Sequence, residues 1–209
     1  MKWTLKIAVI ASLVLVFQSC SNLHLRYKKT DDLANEATGL SWKLNKALYK
    51  ARITFFNKEY SGLMFFKEYP ETKDVRMIFM SEFGLKFFDL KLDKNGTVTT
   101  EYIIDELNRK SIINTLSTDF RLLFLHFKET DCKKYFSGKN KTYMQKCKKG
   151  KFRYSYFFNN NNKIETIKYA SFFRKKVTIE LKEYENNIPG NVTIKHFGIP
   201  LKLNLNYIK

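Results

Sequence analysis

The chain has 209 residues, 44% of them hydrophobic and 16% aromatic, enough for one domain with a sizeable core. Lysine and arginine number 38 against 20 aspartate and glutamate, a formal charge of +18. No apolar run reaches the roughly 20 residues of a membrane-spanning helix, which excludes a protein held in a bilayer by such a helix.

Lys2 and Lys6 open the chain with positive charge, and Ile7 to Phe17 follows, apolar except for Ser12. At about 1.5 Å per residue this run spans roughly half of a ~30 Å hydrocarbon core, which suits the apolar part of an export signal. Phe17-Gln18-Ser19-Cys20 comes next. A small residue and then cysteine, directly after such a run, resembles the lipobox cut by the lipoprotein signal peptidase. Phe17 and Gln18 stand where that pattern prefers leucine and a small residue. The resemblance implies cleavage before Cys20 and acylation (palmitate) of that cysteine. Acyl chains contribute about 0.8 kcal/mol per buried methylene, so such an anchor holds without protein in the bilayer. An ordinary secretory signal with an incidental Cys20 is the alternative. Residues 1–19 are thus expected to be a signal peptide and 20–40 a polar, lipidated tether, with a folded domain over 41–209. No acidic cluster follows Cys20, which favours the outer membrane, on its periplasmic face.

Export argues against nucleic acid as the partner of this basic chain. Attraction to anionic head groups, attraction to acidic partners and compositional bias remain as readings of the charge. The run Asn159 to Asn162 and the abundance of lysine and isoleucine fit the last of these. With Cys20 assigned to lipid, Cys132 and Cys147 are expected to form a disulfide in an oxidising compartment, with two unpaired thiols as the alternative. Paired, they would close a loop rich in lysine, glycine and asparagine. His24, His126 and His196 are isolated, and none stands at metal-ligand spacing from a cysteine, so no metal and no cofactor are expected.

Strand patterns dominate from Leu48. Leu48 to Phe56 alternates, then Tyr60 to Glu68 follows a turn, with Gly62, Met64 and Phe66 on one side. Val75 to Met80, Leu85 to Leu92 and Thr97 to Ile103 follow, the last two joined through Asn95-Gly96, a hairpin signal. The period then changes. Ile112, Leu116, Phe120 and Leu123 fall on one helical stripe, predicting two short helices over 105–116 and 118–127 that break at Ser117-Thr118-Asp119. Strands return over 151–159, 163–170, 175–184 and 192–207. About nine antiparallel strands with intervening helices predict an α+β fold: a curved antiparallel sheet forming a half-open β-barrel under a helical lid. Ile112, Leu116, Phe120 and Leu123 are the lid residues of that prediction.

The stretch from Asn45 to Leu125 resembles the outer-membrane lipoprotein receptor and carrier family, LolB and LolA. Ala51-Arg52-Ile53, Ser61-Gly62 and the run Arg76 to Leu90 carry the resemblance, which covers under half of the chain. It implies a chaperone-like protein that binds the acyl chains of lipoproteins in an apolar cavity and passes them to the outer membrane. A soluble periplasmic LolA-like carrier is then the implied partner, and a monomer is expected. Candidate cavity residues are Ile53, Phe55, Met64, Phe66, Met77, Phe79, Phe88 and Leu90, which an ordinary core would explain as well. Phe83, in Ser81-Glu82-Phe83-Gly84, matches the loop whose exposed apolar residue touches the membrane in the receptor. A catalytic role is not expected: Gly-x-Ser-x-Gly, His-Glu-x-x-His and Cys-x-x-Cys are all absent. A non-catalytic structural or binding lipoprotein of an envelope assembly is the rival reading.

Overall fold

Alternation of apolar and polar side chains dictates most of the molecule. In the computed structural model, residues 27–29, 46–124, 131–138, 142–172 and 174–208 are described. The expected export signal, Cys20, most of the expected tether, His24 and His126 lie outside them. Lys46–Phe55 (β2) buries Ala47, Tyr49, Ala51, Ile53 and Phe55 and turns Lys46, Lys50 and Arg52 outward. This period of two is that of a strand with one face on a core. Lys58–Glu68 (β3), Val75–Met80 (β4), Lys86–Leu92 (β5) and Val98–Ile103 (β6) continue as antiparallel neighbours joined by short turns.

After a single helix, Lys110–Leu123 (α1), the meander resumes. Its strands are Asp131–Ser137 (β7), Thr142–Lys149 (β8), Phe152–Phe158 (β9), Ile164–Ser171 (β10), Arg174–Glu185 (β11), Ile188–His196 (β12) and Leu201–Tyr207 (β13). Lys28–Lys29 (β1) pairs with β7. The last strand, β13, lies against β2, with Leu203 opposite Ile53 and Leu205 opposite Ala51. That pairing joins the two meanders into one sheet of 13 strands in the order β1-β7-β8-β9-β10-β11-β12-β13-β2-β3-β4-β5-β6.

This corrects the predicted fold class. The sheet is not closed into a barrel, since β1 and β6 stand at its two ends without pairing each other. One short helix among the described residues makes the protein mostly antiparallel β rather than α+β with a helical lid. Three segments differ from the prediction. The lysine-rich residues between the cysteines form β7 and β8, with Cys132 opposite Cys147. Surface lysines on an edge region of a sheet hide the alternation that marks a strand. The predicted break at Ser117-Thr118-Asp119 does not occur. Thr115 and Thr118 donate their hydroxyls to the carbonyls of Ser111 and Asn114, one turn back, and the helix runs on. The predicted helix start near 105 is a turn, with Leu107 and Asn108 donating to the Ile104 carbonyl. The predicted strand over 192–207 is two strands, broken at Phe197 to Pro200.

The helix packs across one face of the sheet. Phe120 sets its ring 6.2 Å from Phe66 and 6.3 Å from Phe88, both edge-on or tilted, and Phe124 lies 5.6 Å from Phe66. Helix and sheet residues form one continuous hydrophobic core.

Candidate functional site

The eight candidate cavity residues and the four candidate lid residues meet in that core. Ile53, Phe55, Met64, Phe66, Met77, Phe79, Phe88 and Leu90 are all buried, and so are Ile112, Leu116, Phe120 and Leu123. The sheet's inner face and the buried stripe of α1 are packed directly on each other. None of these twelve side chains lines the open cleft described next.

The cleft lies beside the helix. The flank of α1 adjoining its buried stripe presents Ile113, Asn114, Ser117, Thr118 and Arg121. These are spaced so that they share one side of a helix turn after turn. The β5–β6 hairpin faces them with Asn95, Gly96 and Val98. The β8–β9 hairpin closes the other side with Lys149 to Phe152 and Tyr154, and Tyr169 of β10 completes the lining. The cleft has a volume of about 660 Å³, within the range of small-molecule sites, roughly 300–1,000 Å³. Strands far apart in the sheet order reach this one helix because the sheet bends around it.

Aromatic stacking builds one wall. Tyr169 stacks on Phe152 at 5.6 Å and on Tyr154 at 5.3 Å. Burial, and then the neighbouring Tyr154 phenol, push the Tyr169 hydroxyl up to about 12, so it stays a neutral donor at ordinary pH. The charged lining residues are all cations: Arg121, Lys149 and Lys151. Arg121 also donates Nε–H to the Gly96 carbonyl, fastening the helix to the β5–β6 hairpin. An apolar, stacked wall beside three cations suits a ligand with an apolar body and an anionic head.

Near the far end of α1 a second polar feature is sealed from water. Asp119 and the His196 side chain are both essentially buried. The Asp119 carboxylate lies 2.9 and 3.0 Å from His196 Nε2, and His196 Nδ1 donates to the Leu201 carbonyl at 2.8 Å. Burial works against a charged imidazole, yet the Asp119 carboxylate outweighs it and raises the pKa of His196. Burial raises the Asp119 pKa despite the imidazole. Both shifts keep the shared proton within the pair. Both ring nitrogens are occupied, so this arrangement leaves none to activate a nucleophile. Sequence reasoning missed it because 77 residues separate the partners, and a lone histidine at the end of a strand carries no spacing signal.

Phe83 stands at the tip of the β4–β5 hairpin and is 99% exposed, with Leu85 exposed beside it. Gly62 of β3 makes room for the base of this hairpin. A Cβ built there would lie 2.0 Å from the Met80 carbonyl oxygen. Behind the hairpin, Asp89 is buried between Arg76, which grips both carboxylate oxygens at 2.9 and 2.8 Å, and Lys86 at 2.8 Å. Burial opposes ionisation of Asp89, but the Arg76 and Lys86 bonds prevail and hold its carboxyl below the usual range. Cys132 and Cys147 are joined by a disulfide between directly opposite positions of β7 and β8.

No protein-family model and no curated protein matches the sequence. Among solved structures, the chain is similar to a crystal structure of a DUF1329 family protein from Desulfovibrio piger. The match covers 79% of this chain and 84% of that one, at 9% sequence identity and a TM-score of 0.46.

Proposed function

We propose that this protein is a lipid-anchored envelope protein that binds an amphiphile bearing acyl chains, and that it serves the transfer of lipoproteins or related lipids to the outer membrane. The observation that carries the reading is the cleft beside α1: apolar and stacked on one wall, cationic at Arg121, Lys149 and Lys151, and without a carboxylate in its lining. Cys20 would hold this cleft close to the bilayer. The acyl chain would enter beside the helix rather than beneath it, since Phe66, Phe88 and Phe120 already fill the space beneath. The LolB-like run from Arg76 to Leu90 is consistent with this role, and a soluble carrier of the same kind would be the donor.

Native mass spectrometry of the full chain carrying Cys20→Ala, purified from cells, tests the reading. Acylated material should co-purify. Asn114→Trp, which fills the cleft from the exposed flank of the helix, should abolish it. A protein that is empty in both forms would sink the proposal.

One observation favours the rival, a non-catalytic structural lipoprotein of an envelope assembly. The twelve residues between helix and sheet are sealed from solvent. An empty protein that pulls down a fixed set of envelope proteins would establish that reading instead.

A further inference from the structure

The two ends of the sheet carry opposite chemistry. At one end lie the β3–β4, β5–β6, β9–β10 and β11–β12 turns. They are built from Pro70-Glu71-Thr72-Lys73, Asp93 to Gly96, Asn159 to Asn162 and Asn186-Asn187. Where their backbone takes positive φ the residue is Lys73, Gly96, Asn162, Asn186 or Asn187. Apart from Lys73, these are the types that tolerate the left-handed region. At the other end, the β2–β3, β4–β5, β10–β11 and β12–β13 turns carry Phe56, Phe83, Phe172 and Phe197, all exposed.

Two of those phenylalanines sit where local chemistry argues against them. Phe56 has φ 50° and Phe172 φ 51°, positions that asparagine fills at the opposite end. A bulky side chain there is an outlier that points to a use outside the fold. The hairpins are continuous along this edge. The Phe197 amide donates to the Lys176 carbonyl, the Phe56 amide to Pro200, and the Phe172 amide to Lys151. Exposed cations share these hairpins and their strand ends: Lys58, Arg174, Lys175 and Lys176. Lys175 lies 4.1 Å over the Phe197 ring. The nearby acids Glu59 and Glu82 are engaged by Arg52 at 3.2 Å and Lys50 at 3.7 Å. Asp105 and Glu106 follow the end of β6 and are exposed at this same end of the sheet, beside the start of β5.

We infer that this rim is a docking surface for a bilayer with anionic head groups. The inference goes beyond the cleft reading and stands without it. Each tip is one aromatic residue on its own hairpin, with adjacent hairpins roughly 10 Å apart. Separated tips of that kind suit a deformable bilayer interface, where single rings enter and lysines snorkel to phosphates. They do not form the continuous patch of about 800 Å² that a stable protein partner requires.

Co-sedimentation of the full chain carrying Cys20→Ala with vesicles of phosphatidylglycerol and phosphatidylcholine tests this. Vesicles of phosphatidylcholine alone are the comparison. The parent should bind the anionic vesicles more tightly. Phe56→Asn, Phe172→Asn and Phe83→Ser should each weaken binding about tenfold, from lost apolar burial. Phe172→Asn should also melt at a higher temperature than the parent, since asparagine suits its backbone, whereas Phe56→Asn also gives up an edge-on contact with Phe55. That gain separates lost docking from lost folding. Asn114→Trp should leave vesicle binding intact, which keeps the rim distinct from the cleft. A parent that binds neither vesicle, or a triple rim variant that binds as the parent does, overturns the inference.

Discussion

His196 Nε2 lies 2.9 Å from the Asp119 carboxylate, with one residue on the end of β12 and the other in the last turns of α1. The bond fastens the helix to the sheet at a point sealed from water. Asp119→Ala would leave a buried imidazole with its Nε2 unmatched, at an expected cost of about 1–3 kcal/mol before the lost packing is counted. Asp119→Asn should cost far less. A neutral His196 can keep its proton on Nδ1 for the Leu201 carbonyl and accept from the asparagine amide at Nε2. Urea unfolding of the two variants checks this, and equal losses would show that the carboxylate itself is required.

The same pair sets a pH dependence. The folded-state pKa of His196 is raised, so its contribution is complete below about pH 6.5, the unfolded value, and is lost as pH rises through the folded value. The raised Asp119 pKa has the same sign, because the folded state again binds the extra proton. Stability of the parent should therefore fall on the alkaline side of neutrality. Asp119→Asn should flatten that limb, as followed by melting temperature from about pH 5 to about pH 9, a range that spans the unfolded histidine value.

Asp89 acts in the opposite sense. Its lowered pKa gives stability that is present above the unfolded value of about 4 and lost as pH falls through the folded one. Arg76 and Lys86 keep part of their side chains in solvent, so the pair is worth less than a sealed one. Asp89→Asn should cost about 1–2 kcal/mol at neutral pH and reduce the sensitivity to acid. Unchanged acid unfolding in that variant would remove Asp89 from the account.

Gly62 should be intolerant of any side chain. Gly62→Ala drives its methyl group into the Met80 backbone, which cannot yield as a side-chain tip would. A loss of about 1–3 kcal/mol is expected, together with displacement of the Phe83 hairpin. Thermal melting and a fluorophore placed at position 83 would report the two effects separately.

The Cys132–Cys147 bridge closes a 15-residue separation across β7 and β8, next to the two-residue strand β1. Cys132→Ser with Cys147→Ser should lower stability by about 2–4 kcal/mol. Hydrogen exchange should rise first in β7 and β8, where the sheet has least beyond it to hold it. Uniform exchange across the whole sheet would argue against that local role.

The alternation of Ala51, Ile53 and Phe55, or of Leu201, Leu203 and Leu205, is local, and it already dictates which face of each strand is buried. The stripe Ile112, Leu116, Phe120 and Leu123 likewise dictates that a helix packs on a core. The cysteine pairing was suggested by the count left after Cys20, not by periodicity, and the place of Phe83 between two strands left open whether its ring points out or folds back; the structure joins the cysteines and exposes the ring. The closing pair β13–β2, the union of two meanders into one unclosed sheet, and the bond between Asp119 and His196 were not readable from the sequence. Each depends on which distant segments meet, and a period of two or 3.6 residues carries no record of the partner. The rim is the clearest case. Phe56, Phe83, Phe172 and Phe197 are single aromatics in four unrelated turns, and only the antiparallel path of the strands brings their turns to one end of the sheet.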